Sequence, residues 1–137
     1  MLYIQPLFYL ESSTQKRSKF GYADDLCIMA TSKSFTANCK TLSKDCQEVL
    51  SWAQAEEISF DMDKTELLHI TWHRGNENPL IHIPDTDIVI NPIDTKKSLR
   101  WLGIHLDHKL SFKAHVKTMA AKAQKAAASI RALSNTV

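Results

Sequence analysis

The stretch Phe20-Gly-Tyr-Ala-Asp-Asp-Leu-Cys-Ile-Met-Ala30 decides the fold of this chain. Two short apolar runs flank one pair of carboxylates, and such runs around a polar pair are typical of a β-hairpin. The pattern therefore predicts two antiparallel strands, with Asp24 and Asp25 at or near the turn that joins them.

A strong helical pattern follows the hairpin. Apolar residues recur along it at steps of four and three, and polar residues fall on the other side. The apolar set is Phe35, Cys39, Leu42, Cys46, Val49 and Ala53, and the polar set is Lys40, Lys44, Asp45 and Glu48. Ser32 or Ser34 is placed to cap the helix. We expect the apolar side of this helix to pack beneath the hairpin sheet.

Further strands and a second helix are predicted beyond it. The predicted strands are Thr65 to Trp72, Leu80 to Pro84, Ile88 to Asn91 and Leu99 to Leu106. The last apolar stripe, from Phe112 to Ile130, has helical spacing. The order of elements predicts an α+β fold, in which one helix packs across an antiparallel region of four to five strands.

Composition limits the class of protein. The chain has 137 residues, enough for one domain or part of one, and 44% of them are hydrophobic. Its three cysteines are odd in number and lack C-x-x-C spacing, so we expect reduced thiols. No run approaches the ~18 apolar residues of a membrane span. We therefore expect an intracellular protein of the nucleus or cytoplasm that is neither secreted nor membrane-bound.

The charge is unevenly distributed. The first 107 residues hold 11 Lys or Arg and all 15 Asp or Glu, whereas residues 108–137 hold six Lys or Arg and no acid. The chain is thus an acidic body with a basic tail. Such a tail is ordinarily a solvated helix face, but it also suits contact with phosphates.

The adjacent carboxylates of Asp24 and Asp25 are the sharpest chemical feature. Two neighbouring negative charges repel each other unless a cation or water lies between them. Mg²⁺ prefers oxygen ligands and commonly uses one or two carboxylates together with substrate phosphates. The ordinary alternative is that the pair belongs to a solvated turn.

Phe20-Gly-Tyr-Ala-Asp-Asp-Leu-Cys-Ile-Met29 resembles motif C of reverse transcriptases, in the F-x-Y-A-D-D form of non-LTR retrotransposons. Asp61-Met-Asp-Lys-Thr-Glu-Leu-Leu-His-Ile70 is similar to motif D of that family. Trp101-Leu-Gly-Ile-His-Leu-Asp107 resembles motif E, the primer grip. Leu110-Ser-Phe-Lys-Ala-His-Val116 resembles the opening of the thumb helix, and Leu2-Tyr-Ile-Gln-Pro-Leu-Phe8 the stretch after motif B. The motifs occur in family order along almost the whole chain.

The resemblance implies a role for each matching residue. Asp24 corresponds to a ligand of catalytic Mg²⁺, and Asp25 to a weaker support of the same site. Lys64 corresponds to a lysine near the incoming triphosphate that is proposed to protonate pyrophosphate. The primer 3′ end would be held by Trp101, Leu102 and Gly103. The nucleic-acid backbone would be contacted by Lys113, Lys117, Lys122 and Lys125.

The implied reaction is nucleotidyl transfer by two metal ions about 4 Å apart, with an RNA template and a DNA primer as partners. That chemistry also needs an aspartate of motif A and the Gln-Gly segment of motif B, and this sequence holds no convincing substitute for either. We therefore expect a fragment that is inactive alone and binds Mg²⁺ weakly or not at all. Residues 1–107 would be a partial palm and residues 108–137 the start of the thumb helix, with self-association through exposed palm surface.

Two other interpretations stay open. The chain is alternatively a non-catalytic, nucleic-acid-binding remnant of a retrotransposon. It is alternatively an unrelated α+β module in which the Asp-Asp turn is structural. An upstream reading frame with a motif A aspartate would separate the polymerase from the remnant.

Overall fold

The fold is α+β, described for residues 16–72 and 77–134 of a computed structural model. Within those ranges six strands form three antiparallel two-stranded sheets beside two α-helices. The predicted class is confirmed, whereas the predicted single antiparallel region of four to five strands is wrong. The elements in order are β1 (Lys16–Tyr22), β2 (Asp25–Thr31), α1 (Phe35–Ala55), a 3-10 turn (Met62–Lys64), β3 (Ile81–His82), β4 (Val89–Ile90), β5 (Ser98–Trp101), β6 (Ile104–Asp107) and α2 (Lys113–Ser134).

The chain divides into two units. The first comprises Met1–Leu67 and Gly75–Pro92, and the second comprises Leu68–Arg74 and Ile93–Val137. The stretch Leu2 to Phe8, which resembles the segment after motif B, lies outside the described residues.

The core of the first unit forms between α1 and the β3–β4 hairpin. Ser34, one of the two serines predicted as the cap, caps the helix: its Oγ accepts a hydrogen bond from the Ala37 amide at 3.4 Å. The helix contacts both β2 and β3. The helix therefore packs on two small sheets and not on one. The buried cluster consists of Cys39, Leu67, Ile81, Ile83 and Ile90, with Leu42, Cys46, Leu50, Met62 and Ile88 packed against it.

Two of the predicted strands do not form as continuous strands. Within Thr65 to Trp72 the structure has one isolated parallel bridge, between Leu67 and Pro92. The segment from Leu99 to Leu106 is not one strand but most of a hairpin, because the chain reverses at Leu102 and Gly103. By contrast, the two short strands around the Asp85-Thr86-Asp87 turn are confirmed as β3 and β4.

The second unit contains the β5–β6 hairpin and α2. His108 ties residues 69–71 to this hairpin's end: its Nδ1 lies 2.6 Å from the His69 carbonyl, and its own carbonyl accepts from the Thr71 amide at 3.0 Å. Since a carbonyl can only accept, the proton of this bond is on Nδ1 of His108. The β6 strand also contacts α2.

Neither described helix combines the length and apolar character needed to cross a bilayer. All three cysteines are free thiols, as the sequence predicts.

Candidate functional site

Asp24 and Asp25 lie at the end of the first hairpin. Strands β1 and β2 pair in unbroken register from Lys16 with Thr31 to Tyr22 with Asp25, so the turn consists of Ala23 and Asp24 alone. Both acidic residues are exposed, and so is Tyr22. The predicted position of the pair at a hairpin tip is confirmed. Strand β1 begins at Lys16, four residues before the first residue of the predicted apolar run.

The turn holds Ala23 in a left-handed conformation, with φ of 53°. A residue with a β-carbon pays roughly 1 kcal/mol or more for this region, which glycine enters freely. The strained residue directly precedes the carboxylate pair. It brings the chain from Tyr22 into Asp24 within a two-residue turn, which keeps both acids at the extreme end of the hairpin.

The tip fits Mg²⁺ by the type of its ligands. Carboxylate oxygens are what this ion prefers, and an exposed tip leaves room for waters and phosphates around it. Among residues 16–72 and 77–134, however, no group of three or more His, Cys, Asp or Glu side chains is placed to hold a metal ion. Asp24 and Asp25 are thus two adjacent carboxylates without a third such group placed beside them in those ranges.

The hairpin is anchored to α1 by charged side chains. Arg17 Nη1 lies 2.7 Å from Asp45 Oδ1, and the Asp45 residue is 0% exposed. Two residues along β1, Lys19 Nζ lies 3.9 Å from Glu48 Oε2. Arg17 and Lys19 are on the same face of β1, the one turned toward the helix. The predicted placement of Asp45 on the polar side of α1 is wrong, because Arg17 reaches across to neutralise it in the interior.

One hydrogen bond joins the buried pair, from Arg17 Nη1 to Asp45 Oδ1. Asp45 Oδ2, Arg17 Nε and Lys19 Nζ are buried and have no hydrogen-bond partner in the described structure. Burial raises the pKa of the neighbouring Cys46 thiol to about 11, and the negative charge of Asp45 adds to this while Lys19 opposes it. Cys46 is therefore an unreactive packing residue, since the thiolate is the nucleophilic form.

Lys64 lies in the 3-10 turn of the first unit. Its Nζ is 2.7 Å from Asp61 Oδ2, and both side chains are largely exposed. The hydrogen bond that Lys64 donates to Asp61 raises the pKa of Lys64 and lowers the pKa of Asp61. The structure thus brings Lys64 to Asp61, a partner that the sequence did not predict.

The residues that resemble a primer grip form the β5–β6 turn in the second unit. Trp101 pairs with Ile104, so Leu102 and Gly103 are the two turn residues. Their φ angles are 48° and 83°. Two successive positive φ angles are typical of a type I′ turn, which favours Asn-Gly and not Leu-Gly. The buried indole N–H of Trp101 has no hydrogen-bond partner among the described residues.

Within the basic tail, α2 is exposed over most of its length. Its lysines Lys113, Lys117, Lys122 and Lys125 are all exposed, and every residue from Ala120 to Leu133 is exposed. At the start of α2, His115 Nδ1 accepts from the His105 amide at 3.4 Å. The predicted final helix is confirmed, and most of its length is open to solvent.

Asp107 organises the joint between β6 and α2. Its two carboxylate oxygens accept from the amides of Lys109, Ser111 and Phe112 at 2.9–3.0 Å, and from the Ser111 hydroxyl at 3.0 Å. Hydrogen bonds from Ser111, followed by those from Lys109 and Phe112, lower the pKa of this carboxyl. An anion at a helix N-terminus also complements the helix dipole.

Sequence reasoning missed both Asp107 and the Arg17–Asp45 pair as organising residues. Asp107 had a local signal, because an Asp and a Ser shortly before an apolar-periodic run are typical caps. The Arg17–Asp45 pair had none, since its partners are 28 residues apart.

Comparison with protein-family models, with curated proteins and with solved structures finds no match to this chain.

Proposed function

We propose that this chain is part of an RNA-directed DNA polymerase of the non-LTR retrotransposon type, comprising the C-terminal part of the palm and the start of the thumb. The observation that carries the proposal is the position of Asp24 and Asp25, adjacent at the exposed end of a two-residue hairpin turn. A metal that must meet both protein carboxylates and substrate phosphates needs its ligands at such an open end.

In this proposal Asp24 holds catalytic Mg²⁺ and Asp25 supports the same site. When bound, the metal supplies charge neutralisation at the triphosphate and activation of the primer hydroxyl. The protein positions the two carboxylates. The Arg17–Asp45 pair fixes β1 on α1, and Ala23 turns the chain so that both acids stand at its end.

Lys64 is the proposed partner of the triphosphate. The amine is protonated at neutral pH, as is usual for lysine, and Asp61 raises its pKa further. A protonated amine both attracts phosphate and has a proton to give to departing pyrophosphate. Both members of the pair are exposed, and a polyphosphate would compete with Asp61 for the same ammonium group.

The remaining contacts in the proposal go to nucleic acid. The β5–β6 turn, with Leu102 exposed at its tip, would hold the primer end. The lysines of α2 would contact backbone phosphates, which position a duplex without reading its sequence. Since the acids at the hairpin tip are a partial ligand set, we infer that the 137 residues alone do not extend a primer.

Metal binding at the tip tests the proposal without an activity assay. Mn²⁺ is a paramagnetic substitute for Mg²⁺ that broadens amide resonances near its site. We expect titration with Mn²⁺ to broaden the resonances of residues 22–26 first in the intact chain, and not in Asp24→Asn. Asp87→Asn, which changes an exposed acid in the β3–β4 turn, is the matched control and should keep the effect. Broadening that spares the tip, or that survives Asp24→Asn, contradicts the proposal.

A second function, nucleic-acid binding without catalysis, is favoured by the exposure of the basic helix α2. It predicts salt-sensitive binding of a primer–template duplex by a chain in which Mn²⁺ does not broaden the tip. The two measurements together separate the polymerase fragment from the remnant.

A further inference from the structure

Apolar residues on α2 repeat with a seven-residue period. Val116, Ala123 and Ile130 are seven residues apart, and a second apolar series follows each of them three residues later. Alternating steps of three and four are the a and d positions with which one helix packs against another. The six positions, here called the heptad seam, are Val116, Met119, Ala123, Ala126, Ile130 and Leu133.

The heptad seam is uncovered along most of its length. Met119 is half-buried, whereas the other five residues are exposed, including Val116 at 63%, Ile130 at 67% and Leu133 at 72%. Scattered apolar residues on a surface are normal, but a continuous apolar stripe marks an interaction site. The stripe continues outward from the part of α2 that already contacts β6.

The shape of the heptad seam fits a helix as its occupant. Ala123 and Ala126 lie at its centre, and the flanking e positions are Ala120 and Ala127. Small side chains at the centre and along one flank allow the axis of a second helix to approach closely. The seam is only two residues wide, which is narrower than the apolar face that a sheet would cover.

The charge of α2 selects the kind of helix. Residues 108–137 contain six Lys or Arg and no acid, and Lys122 stands at a flanking g position. A second copy would set two basic helices at the usual 8–10 Å packing distance, where like charges repel. We propose that the heptad seam docks an α-helix of a partner protein that has an apolar a/d stripe and acidic flanks.

This docking leaves the other side of α2 free. Lys117 and Lys125 lie on the half of the helix turned away from the heptad seam, as the 3.6-residue period requires. A partner helix and a phosphate backbone would therefore occupy opposite sides. The inference does not rest on metal binding at Asp24 and Asp25.

Two synthetic three-heptad peptides test the proposal. Both carry Leu and Ala at a and d, one with Glu at every e and g position and the other with Lys. Binding of each labelled peptide to the 137-residue chain is measured by fluorescence anisotropy. We expect the Glu peptide to bind at least about tenfold more tightly than the Lys peptide. The variant Ile130→Gln with Leu133→Gln should weaken its binding by about tenfold or more.

Matched variants separate the heptad seam from the rest of the helix. Gln has good helix propensity and both replaced residues are exposed, so circular dichroism should show an unchanged helix. Lys117→Gln with Lys125→Gln, on the opposite side, should alter peptide affinity less than about threefold. Equal binding of both peptides, no saturable binding of the Glu peptide, or binding unchanged in the seam variant overturns the proposal. Self-association of the chain that disappears in the seam variant also overturns it, because the occupant is then a second copy.

Discussion

Arg17 Nη1 lies 2.7 Å from the carboxylate of Asp45, which is wholly buried in α1. The ion pair joins the first strand of the acid-bearing hairpin to the helix below it. A carboxylate without water around it is stable only when a cation accompanies it. The pair is therefore one attachment of the hairpin to the helix, beside the contacts between α1 and β2.

Replacement of Asp45 by Asn should destabilise the fold by about 3 kcal/mol, because Arg17 would lose its buried counter-charge. Urea unfolding of the intact chain and the variant measures the difference. Glu48→Gln is the control, since that acid is half exposed and 3.9 Å from Lys19, and it should change stability by less than about 1 kcal/mol. If the two variants are equally stable, the Arg17–Asp45 pair is not the anchor.

Lowering the pH should destabilise the start of α2, because Asp107 becomes protonated. Its folded pKa is lowered by the hydrogen bonds from residues 109–112, below the unfolded value of about 3.9. A depressed carboxyl pKa contributes stability that is complete above the unfolded value and is lost as pH falls through the folded one. Asp107→Asn keeps one acceptor oxygen but no charge. It should therefore be less stable than the intact chain near neutral pH, with the gap closing below about pH 4. Urea midpoints across this range measure the gap, and a gap that is constant with pH would contradict the assignment.

Leu102→Asn should stabilise the β5–β6 hairpin by about 1 kcal/mol, because Asn tolerates the left-handed conformation that Leu102 occupies at a cost. Thermal unfolding measures the gain. If Leu102 also contacts the primer end, duplex affinity should fall while stability rises. Ala23→Gly is the companion variant at the other turn and should stabilise the chain similarly while leaving the β5–β6 tip intact. Destabilisation by both substitutions would show that neither turn is strained.

Duplex binding, where present, should belong to α2. Lysines that contact phosphates release counterions, so affinity should fall steeply between low and moderate salt. The variant Lys113→Glu, Lys117→Glu, Lys122→Glu should abolish binding to a primer–template duplex, with its fold checked by circular dichroism. Asp24→Asn should not reduce binding. Equal binding by the intact chain and the triple variant would make the basic tail ordinary surface.

Self-association is expected through the outer face of the first hairpin. Phe20, Tyr22 and Met29 lie on the β1–β2 face opposite Arg17 and Lys19, and all three are exposed. Apolar surface of this kind on an open two-stranded sheet favours association. Sedimentation equilibrium of the chain at roughly tens of micromolar should show oligomers. The double variant Phe20→Ser, Met29→Ser should sediment as a monomer. Leu80→Ser, at another exposed apolar site, is the control. A monodisperse intact chain would contradict the expectation.

Local signals were sufficient for the elements whose partners are near in sequence. The acid-tipped hairpin, the Ser34 cap and the final helix each depend on residues within a few positions, and each is present. The strand predicted from Thr65 to Trp72 does not form, for the opposite reason. Leu67 and His69 are buried with strand-like alternation, yet a strand also needs a neighbour. Within the described part of the chain, Leu67 forms one isolated bridge, to Pro92.

The residues of the candidate site also differ in whether nearby sequence was enough to predict them. Asp24 and Asp25 could be placed at the tip from the flanking apolar runs alone. The turn at Leu102 was missed because Leu is an unusual residue at positive φ, so the segment looked like a continuous strand. Asp45 was misplaced because an acid on a helix is normally solvated, and its partner Arg17 lies in another element.

The three sheets also determine how the chain reaches its fold. Each pairs two strands that are consecutive along the chain, so the pairing of the six described strands is local. Hairpins of this kind form in roughly 1–10 μs. The contacts between α1 and β3 close a much longer loop, as the bond from Ser43 to the His82 carbonyl 39 residues away illustrates. Within the first unit, the hairpins and the helix should therefore form early, and the docking of α1 on β3 should set the folding rate.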